Sequence, residues 1–515
     1  MVVSLLQIIA TGLQDERLLP TKGKPNVSFF QKVFVKAGRF TTAWVRLDFD
    51  TRPNFASQAS ITLPRQGHLI TRLYLVTTMP DIAGPQLKAR AAAAASQAPF
   101  AGPTFGWTNS LGHALLQTAT LDIGGSRIEQ LNGRLLEVLD EYNTPLEKVT
   151  SVNSMLPRIQ NGFSPTSIGW TERPTVAITP LPFWFSRGDP GVALPIDAIN
   201  NDQVRITFAF APVTSLYVSS AQLPFASTTQ PAGGEAYFPL LNASFYQKGG
   251  TTPVAGLSGN PSEVQLVTPI PTVAMPSSLS LGDTYVMAEY VYLDKPEANK
   301  FRISDIQYPI SQHYSFEPTD SKGLPKLTVP LRIPNPTRDL FFFAQRFEAP
   351  AYNAPFLASR DLSGQGVSVA PWWPNATGLD AVNLGYLVPA FSTRQSEPLD
   401  SVSLVYESKL YRYNSYVPSI FRSLLPSLVQ KKTPWVNAYY YNLPFGMEHG
   451  IFPASVVTGE ANLDKVEKVE LRLQFKPLLG SLDPTNVPRF TVYCFAETYN
   501  ILRIYGGRAG LLFAY

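Results

Sequence analysis

Residues 498–515 read TYNILRIYGGRAGLLFAY. A chain end ordinarily frays because little ties it down, yet this one carries Tyr499, Ile501, Leu502, Ile504, Tyr505, Leu511, Leu512, Phe513 and Tyr515. Asn500, Arg503, Gly506, Gly507, Arg508 and Gly510 interrupt the run, well short of the roughly 20 continuous apolar residues of a membrane-spanning helix. Leaving these side chains in water costs about 25 cal/mol per Å² of apolar surface. The stretch therefore reads as a core element, a last strand locked into a sheet.

The same logic runs outward from it. In VELRLQF, Val469, Leu471, Leu473 and Phe475 alternate with Glu470, Arg472 and Gln474. In QVRITFAF, Val204, Ile206, Phe208 and Phe210 alternate with Arg205, Thr207 and Ala209. In AWVRLDFD, Ala43, Val45, Leu47 and Phe49 alternate with Trp44, Arg46, Asp48 and Asp50. A period of two is the mark of a strand with one buried face. Further strands are expected at 67–80, 175–185, 284–294, 325–333, 338–345, 401–411 and 489–500. Leu135, Leu136, Leu139 and Tyr142 share one face of a helix over 133–142. The turn IGGSR (123–127) reads as a hairpin.

Segments 81–106 and 211–282 are rich in Pro, Gly, Ser, Thr or Ala and weakly periodic, as surface excursions and linkers are. The expected organisation is an N-terminal segment 1–26, a first β-rich unit 27–212, a linker with long surface loops 213–283, and a second β-rich unit 284–515. Two β-sandwiches with few helices follow. No repeat of 20–50 residues suggests a solenoid or propeller.

Composition bounds the function. Among 515 residues, 44% are hydrophobic, 16% charged and 12% aromatic, with 46 Pro. That balance describes a globular, β-rich chain of two domains. The net charge of +4 comes without a basic block beyond Lys431 and Lys432, so direct nucleic-acid binding is not indicated. One cysteine, Cys494, excludes an internal disulfide framework and a thiolate metal cluster. The first residues carry no Lys or Arg before Leu5, and a signal peptide is not expected.

The search for catalytic chemistry returns structural readings. No nucleophile elbow, Walker A loop or zincin pattern occurs. His68, His113, His313 and His449 are far apart and are read as hydrogen-bonding residues of turns and strand ends. Asp140 and Glu141 are assigned to the solvated face of the helix, and Cys494 to the core. No cofactor or metal is expected. Trp372 and Trp373, in APWWPNATG, are candidate contact aromatics on a loop. Asn26, Asn242 and Asn375 begin Asn-x-Ser/Thr triplets and are candidate glycosylation sites. A β-sandwich carbohydrate-binding protein or enzyme is the alternative these tryptophans raise; it needs a converging carboxylate pair or a lined groove.

Several stretches, in order along nearly the whole chain, resemble one family. They are ATGLQDERLL with PNVSFFQKVF, LPRQGHLITRLYLV, WTNSLGHALLQTATLDIGGSRIEQLNG, LPFWFSRGDPGVALPIDAI, EYVYLDKPEANKF and CFAETYNILRIYGGRAGLLFAY. They are similar to segments of the major capsid proteins of nucleocytoplasmic large DNA viruses. A departure is FPASVVTGEANLDKVEKVEL (452–471), which has Pro-Ala-Ser and lacks the family's Ser-Arg.

The resemblance implies a double jelly roll, two eight-stranded sandwiches in tandem, assembling as homotrimeric pseudo-hexameric capsomers of an icosahedral shell. It implies as partners other copies of the chain, neighbouring capsomers, and minor capsid and penton proteins. The location implied is the virion, assembled in the host cytoplasm. A minor or paralogous capsid protein at special shell positions is the alternative within the family. The N-terminal segment, with Leu5, Leu6 and Ile9 on an apolar stripe beside Val2, is expected to face inward, toward minor capsid proteins or an internal membrane.

Overall fold

The computed structural model describes residues 39–82, 105–158, 175–188, 190–219, 279–347, 397–435, 438–447, 456–477 and 487–513, with short pieces within 92–96, 244–268 and 349–360. Sixteen strands build two sandwiches. The first contains β1 (Phe40–Leu47), β2 (Gln58–Thr62), β3 (Leu69–Thr78), β4 (Leu116–Ile123), β5 (Ser126–Leu131), β6 (Val176–Pro180), β7 (Val204–Phe210) and β8 (Thr284–Leu293). The second contains β9 (Ile306–Ser315), β10 (Lys326–Leu331), β11 (Thr337–Arg346), β12 (Leu399–Tyr406), β13 (Leu410–Ser415), β14 (Tyr441–Pro444), β15 (Val469–Phe475) and β16 (Phe490–Tyr505).

Hydrogen bonding orders the first sandwich as β1-β8-β3-β6 and β2-β7-β4-β5, and the second as β9-β16-β11-β14 and β10-β15-β12-β13. All these pairings are antiparallel. With strands counted one to eight inside each sandwich, both have the order 1-8-3-6 in one sheet and 2-7-4-5 in the other. That is a jelly roll, made twice.

Alternation set the inner faces as the sequence reading had them. Leu47, Ile206, Phe208, Phe210, Leu471, Leu473 and Phe475 are buried, while Trp44, Arg46 and Arg205 are exposed. Side chains from both sheets of each sandwich meet in the core, for example Leu73 and Val286 with Ile61 and Leu121. The IGGSR stretch turns between β4 and β5 with Gly124 and Gly125 at φ 58° and 82°, the left-handed pair that a two-residue hairpin requires. Cys494 is buried among apolar neighbours, and burial pushes its thiol up to about 12.

The C-terminal run is a sheet element. β16 is 16 residues long, lies between β9 and β11, and then turns at Gly506–Gly507 so that Arg508–Leu511 pairs back upon it. Beyond the hairpin, Leu512 and Phe513 are exposed.

One boundary differs from the sequence reading. Residues 284–294 opened the second unit there, but β8 hydrogen-bonds between β1 and β3 of the first sandwich. Segment 213–283 therefore joins two strands of one sandwich rather than linking two sandwiches. The connector is helix α2 (Lys295–Ile303), capped by Asp294, whose carboxylate accepts the Lys295 N–H. Periodicity states which residues share a face; it does not state which neighbour completes the sheet. Eight strands close the first jelly roll only when the one after the long excursion returns to it.

Candidate assembly site

The two sandwiches meet along a polar seam. Arg187 follows β6 and its short turn Trp184–Ser186, and its guanidinium crosses to the second sandwich. It lies 2.6 Å from Glu497 on β16 and 2.6 Å from the Ser311 hydroxyl on β9. It also reaches Glu129 on β5 at 3.3 Å and His313 Nδ1 on β9 at 3.0 Å. His313 Nδ1 lies 2.9 Å from Glu129, and Arg338 on β11 approaches Glu497 at 3.5 Å. Glu129 and His313 side chains are fully buried. Around them, Asn132 donates to Ser315 and Gln312 donates to the Ile128 carbonyl. At the far end, Asn201 donates to the Gly506 carbonyl, tying the C-terminal hairpin to the first sandwich.

A second cluster orders helix α1 (Gly133–Asn143), whose N-cap Asn132 accepts from the Leu135 N–H. Arg158 pairs with Glu137 at 2.7 Å and with Asp140, and donates to Ser110. His113 Nδ1 lies 2.7 Å from Glu137. Burial raises the carboxyls of Glu137 and Asp140, but Arg158 and His113 outweigh it and hold both below their usual range. Glu141 behaves oppositely: burial raises it, and Lys432 of the second sandwich, 3.1 Å away, offsets this only in part. The solvated face expected for Asp140 and Glu141 is thus a correction. Glu141 is 5% exposed and Asp140 is half-buried, because α1 is wedged between the sandwiches. Tyr142 packs on Phe341 of β11, ring centroids 5.2 Å apart, and Arg134 lies over Tyr493 of β16.

α1 thereby helps to cover the outer face of β9-β16-β11-β14, and all ten residues of β11 are buried. The corresponding outer face of β1-β8-β3-β6 is partly exposed, with Val76 and Glu289 on it buried. It presents Trp44, 47% exposed, against Tyr74 at a centroid distance of 5.8 Å, with Met287 and Ile178 half-buried. Its arginines are already paired: Arg46 with Asp283 at 2.7 Å, Arg72 with Glu289 at 3.3 Å. On the second sandwich, Leu410, Tyr411, Tyr416, Val417, Leu424 and Leu428 are exposed along β13 and the helical segment after it.

All the site residues singled out from sequence, Leu5, Leu6, Ile9, Asn26, Asn242, Trp372, Trp373 and Asn375, lie outside the described residues, as does His449. His68 accepts from the Leu293 N–H at 2.9 Å, in the hydrogen-bonding role expected of it. His113 and His313 instead join buried ionic clusters, which sequence spacing does not reveal: Arg187 and Glu497 are 310 positions apart. Among the described residues no group of three His, Cys, Asp or Glu could hold a metal ion, and no helix is long and apolar enough to cross a membrane.

Comparison with known proteins agrees with this geometry. The family described as Major capsid protein N-terminus matches residues 28–249. The chain is 27% identical to Capsid protein 1 of Acanthamoeba polyphaga mimivirus over 42% of its own length, spanning only 35% of that protein. It is 20% identical to the major capsid protein of Frog virus 3 over 95% of its length and 93% of the relative's. Among solved structures, a chain of the PBCV-1 virus capsid superposes with a TM-score of 0.63 at 19% identity, covering 95% of this chain and 100% of that one. That last likeness is one of fold.

Proposed function

The chain is related to the major capsid proteins of nucleocytoplasmic large DNA viruses and carries their double jelly roll; on that premise we propose that it forms homotrimeric capsomers of six-fold outline that tile an icosahedral shell. Its role is structural rather than enzymatic, and its place is the virion capsid. The observation that carries the trimeric reading is the seam. Two copies of one sandwich are fused through buried charge pairs and a wedged helix into a single block, so three chains supply six equivalent uprights. Interfaces of a few thousand Å² within a trimer make it effectively permanent, and weaker contacts between trimers allow a shell to correct errors as it grows. The N-terminal segment 1–26, with its stripe at Leu5, Leu6 and Ile9, is assigned to the inner side, toward minor capsid proteins or a membrane. Assembly takes place in the host cytoplasm.

The test is the solution mass of the purified chain with negative-stain images of the same peak. Three times 56.7 kDa with hexagonal outlines supports the reading; a monomer overturns it.

A further inference from the structure

Helix α1 carries one cation, Arg134, and three carboxylates, Glu137, Asp140 and Glu141. All three carboxylates are matched by cations from other parts of the chain: Arg158 takes Glu137 and Asp140, and Lys432 takes Glu141. Glu137 lies three positions after Arg134, the spacing of a natural helical ion pair, yet it is committed elsewhere. Arg134 is left over. Its guanidinium lies over the Tyr493 ring, 4.4 Å from the centroid, and the residue is half-buried. Its Nε is shut away from solvent with no hydrogen-bond partner, and among the described residues Arg134 belongs to no ion pair. A buried donor of a charged group left unmade carries a desolvation cost that an accepting ligand removes.

Arg134 lines a cavity of about 640 Å³ where the two sandwiches meet, a volume within the range of small-molecule sites. Thr118 and Gln130 of the first sandwich and Ser315 of the second give it polar walls, and Phe316, Phe356 and Tyr493 give it aromatic ones. Glu317, also in the lining, is exposed. We propose that this cavity binds a small organic anion, with its carboxylate or phosphate on the Arg134 guanidinium and its apolar or aromatic body against the three rings. The guanidinium offers a planar fork of donors that matches two oxygens of either group, and the Tyr493 ring beneath it fixes the plane of that fork in advance. Because the walls come from both sandwiches, an occupant braces their junction, and it stabilises the folded chain by mass action. The site lies within one chain and does not depend on how copies assemble.

The test is isothermal titration calorimetry on the full purified chain in a phosphate-free buffer. Phenyl phosphate and benzoate are the probes, with inorganic phosphate and phenol as the separate halves of the first. The expected result is one saturable site per chain for at least one of the two organic anions, with a Kd of about 1 mM or tighter. Inorganic phosphate binds more weakly and phenol does not bind; the tighter of the two probes identifies the anionic group. Arg134→Met weakens that binding by about tenfold or more, the loss expected of a charged hydrogen-bonding partner. Absence of saturable binding by both probes overturns the proposal, and so does phenol binding as well as phenyl phosphate. Full affinity in the Arg134→Met chain overturns it too, since the anion then sits elsewhere. Ser315→Trp keeps the test decisive if Arg134→Met fails to fold. Ser315 is exposed, so the variant is tolerated while its indole fills the cavity and abolishes binding; undiminished binding there overturns the site.

Discussion

Arg187, on the first sandwich, holds Glu497, on the last long strand of the second, at 2.6 Å. The same guanidinium also meets Glu129, 3.3 Å away and fully buried. Replacing Arg187 by Met removes the guanidinium shared by both buried carboxylates, leaving Glu129 with His313 and Glu497 with the more distant Arg338. Removing one member of a buried ionic cluster costs about 3–5 kcal/mol. The Arg187→Met chain is expected to lose stability on that scale in a denaturant titration, with a first transition in which the sandwiches separate. A loss below about 1 kcal/mol would show that apolar contacts alone hold the seam.

Gly133 opens α1 where only a hydrogen fits. A Cβ there would collide with the His113 carbonyl oxygen and lie 2.7 Å from that of Leu116. Both obstacles are backbone, so neither can swing aside. Gly133→Ala is expected to cost about 2–3 kcal/mol, typical of overpacking or more, and to disturb the His113–Glu137 contact. Melting temperature measures it; an unchanged value would mean that the helix start can shift freely.

Stability against pH should show two opposed regions. Glu137 and Asp140 have folded carboxyls held below their ordinary values of 4.5 and 3.8. They stabilise the fold above those values, and that contribution disappears as pH falls through their lower folded range. Glu141 and Glu397 are raised by burial. Ionised, they oppose folding, and the opposition is relieved as pH falls through their raised range. Denaturant midpoints across pH 3–7 should therefore rise slightly on mild acidification and then fall steeply below about pH 4. Glu141→Gln should flatten the rise; a curve unchanged by it contradicts the assignment.

The β12–β13 hairpin uses Glu407 and Ser408 at φ 49° and 62°, where the equivalent hairpin of the first sandwich has two glycines. The left-handed region costs a non-glycine residue roughly 1–2 kcal/mol. Ser408 also accepts a hydrogen bond from Lys468 at an exposed site, which is worth little. Ser408→Gly is expected to gain about 0.5–1 kcal/mol, read as a higher denaturant midpoint. A loss would mean that the Lys468 contact outweighs the strain.

Deleting residues 2–13 should leave the chain trimeric, at three times its shortened mass, and impair shell formation in an assembly reaction. Failure to trimerise would assign the segment to the capsomer itself.

Much of the fold was legible because strands leave a local trace. Val204, Ile206, Phe208 and Phe210 alternate with more polar neighbours whatever they pair with, and Gly124–Gly125 announces a hairpin from its own backbone requirement. Leu135, Leu136, Leu139 and Tyr142 mark one helical face, and that helix formed. The assembly site was less legible, since Arg187, Glu129, His313 and Glu497 carry no mutual spacing. Each looks like an ordinary surface residue of its own segment.

What the sequence determined by itself was the set of strands, their buried faces and, through ordered motifs, the family they resemble. Those properties depend on neighbours within a few positions, where side-chain period and turn chemistry act. Only the tertiary structure decided that β8 returns to the first sandwich across the long excursion, that α1 is wedged between the sandwiches with Glu137 and Glu141 buried, and that a carboxylate at 497 completes a cluster begun at 129. Pairing across such distances is chosen by which sheet lacks an edge partner and which buried charge lacks a counterion. Both are facts about the folded whole, written in no local stretch of chain.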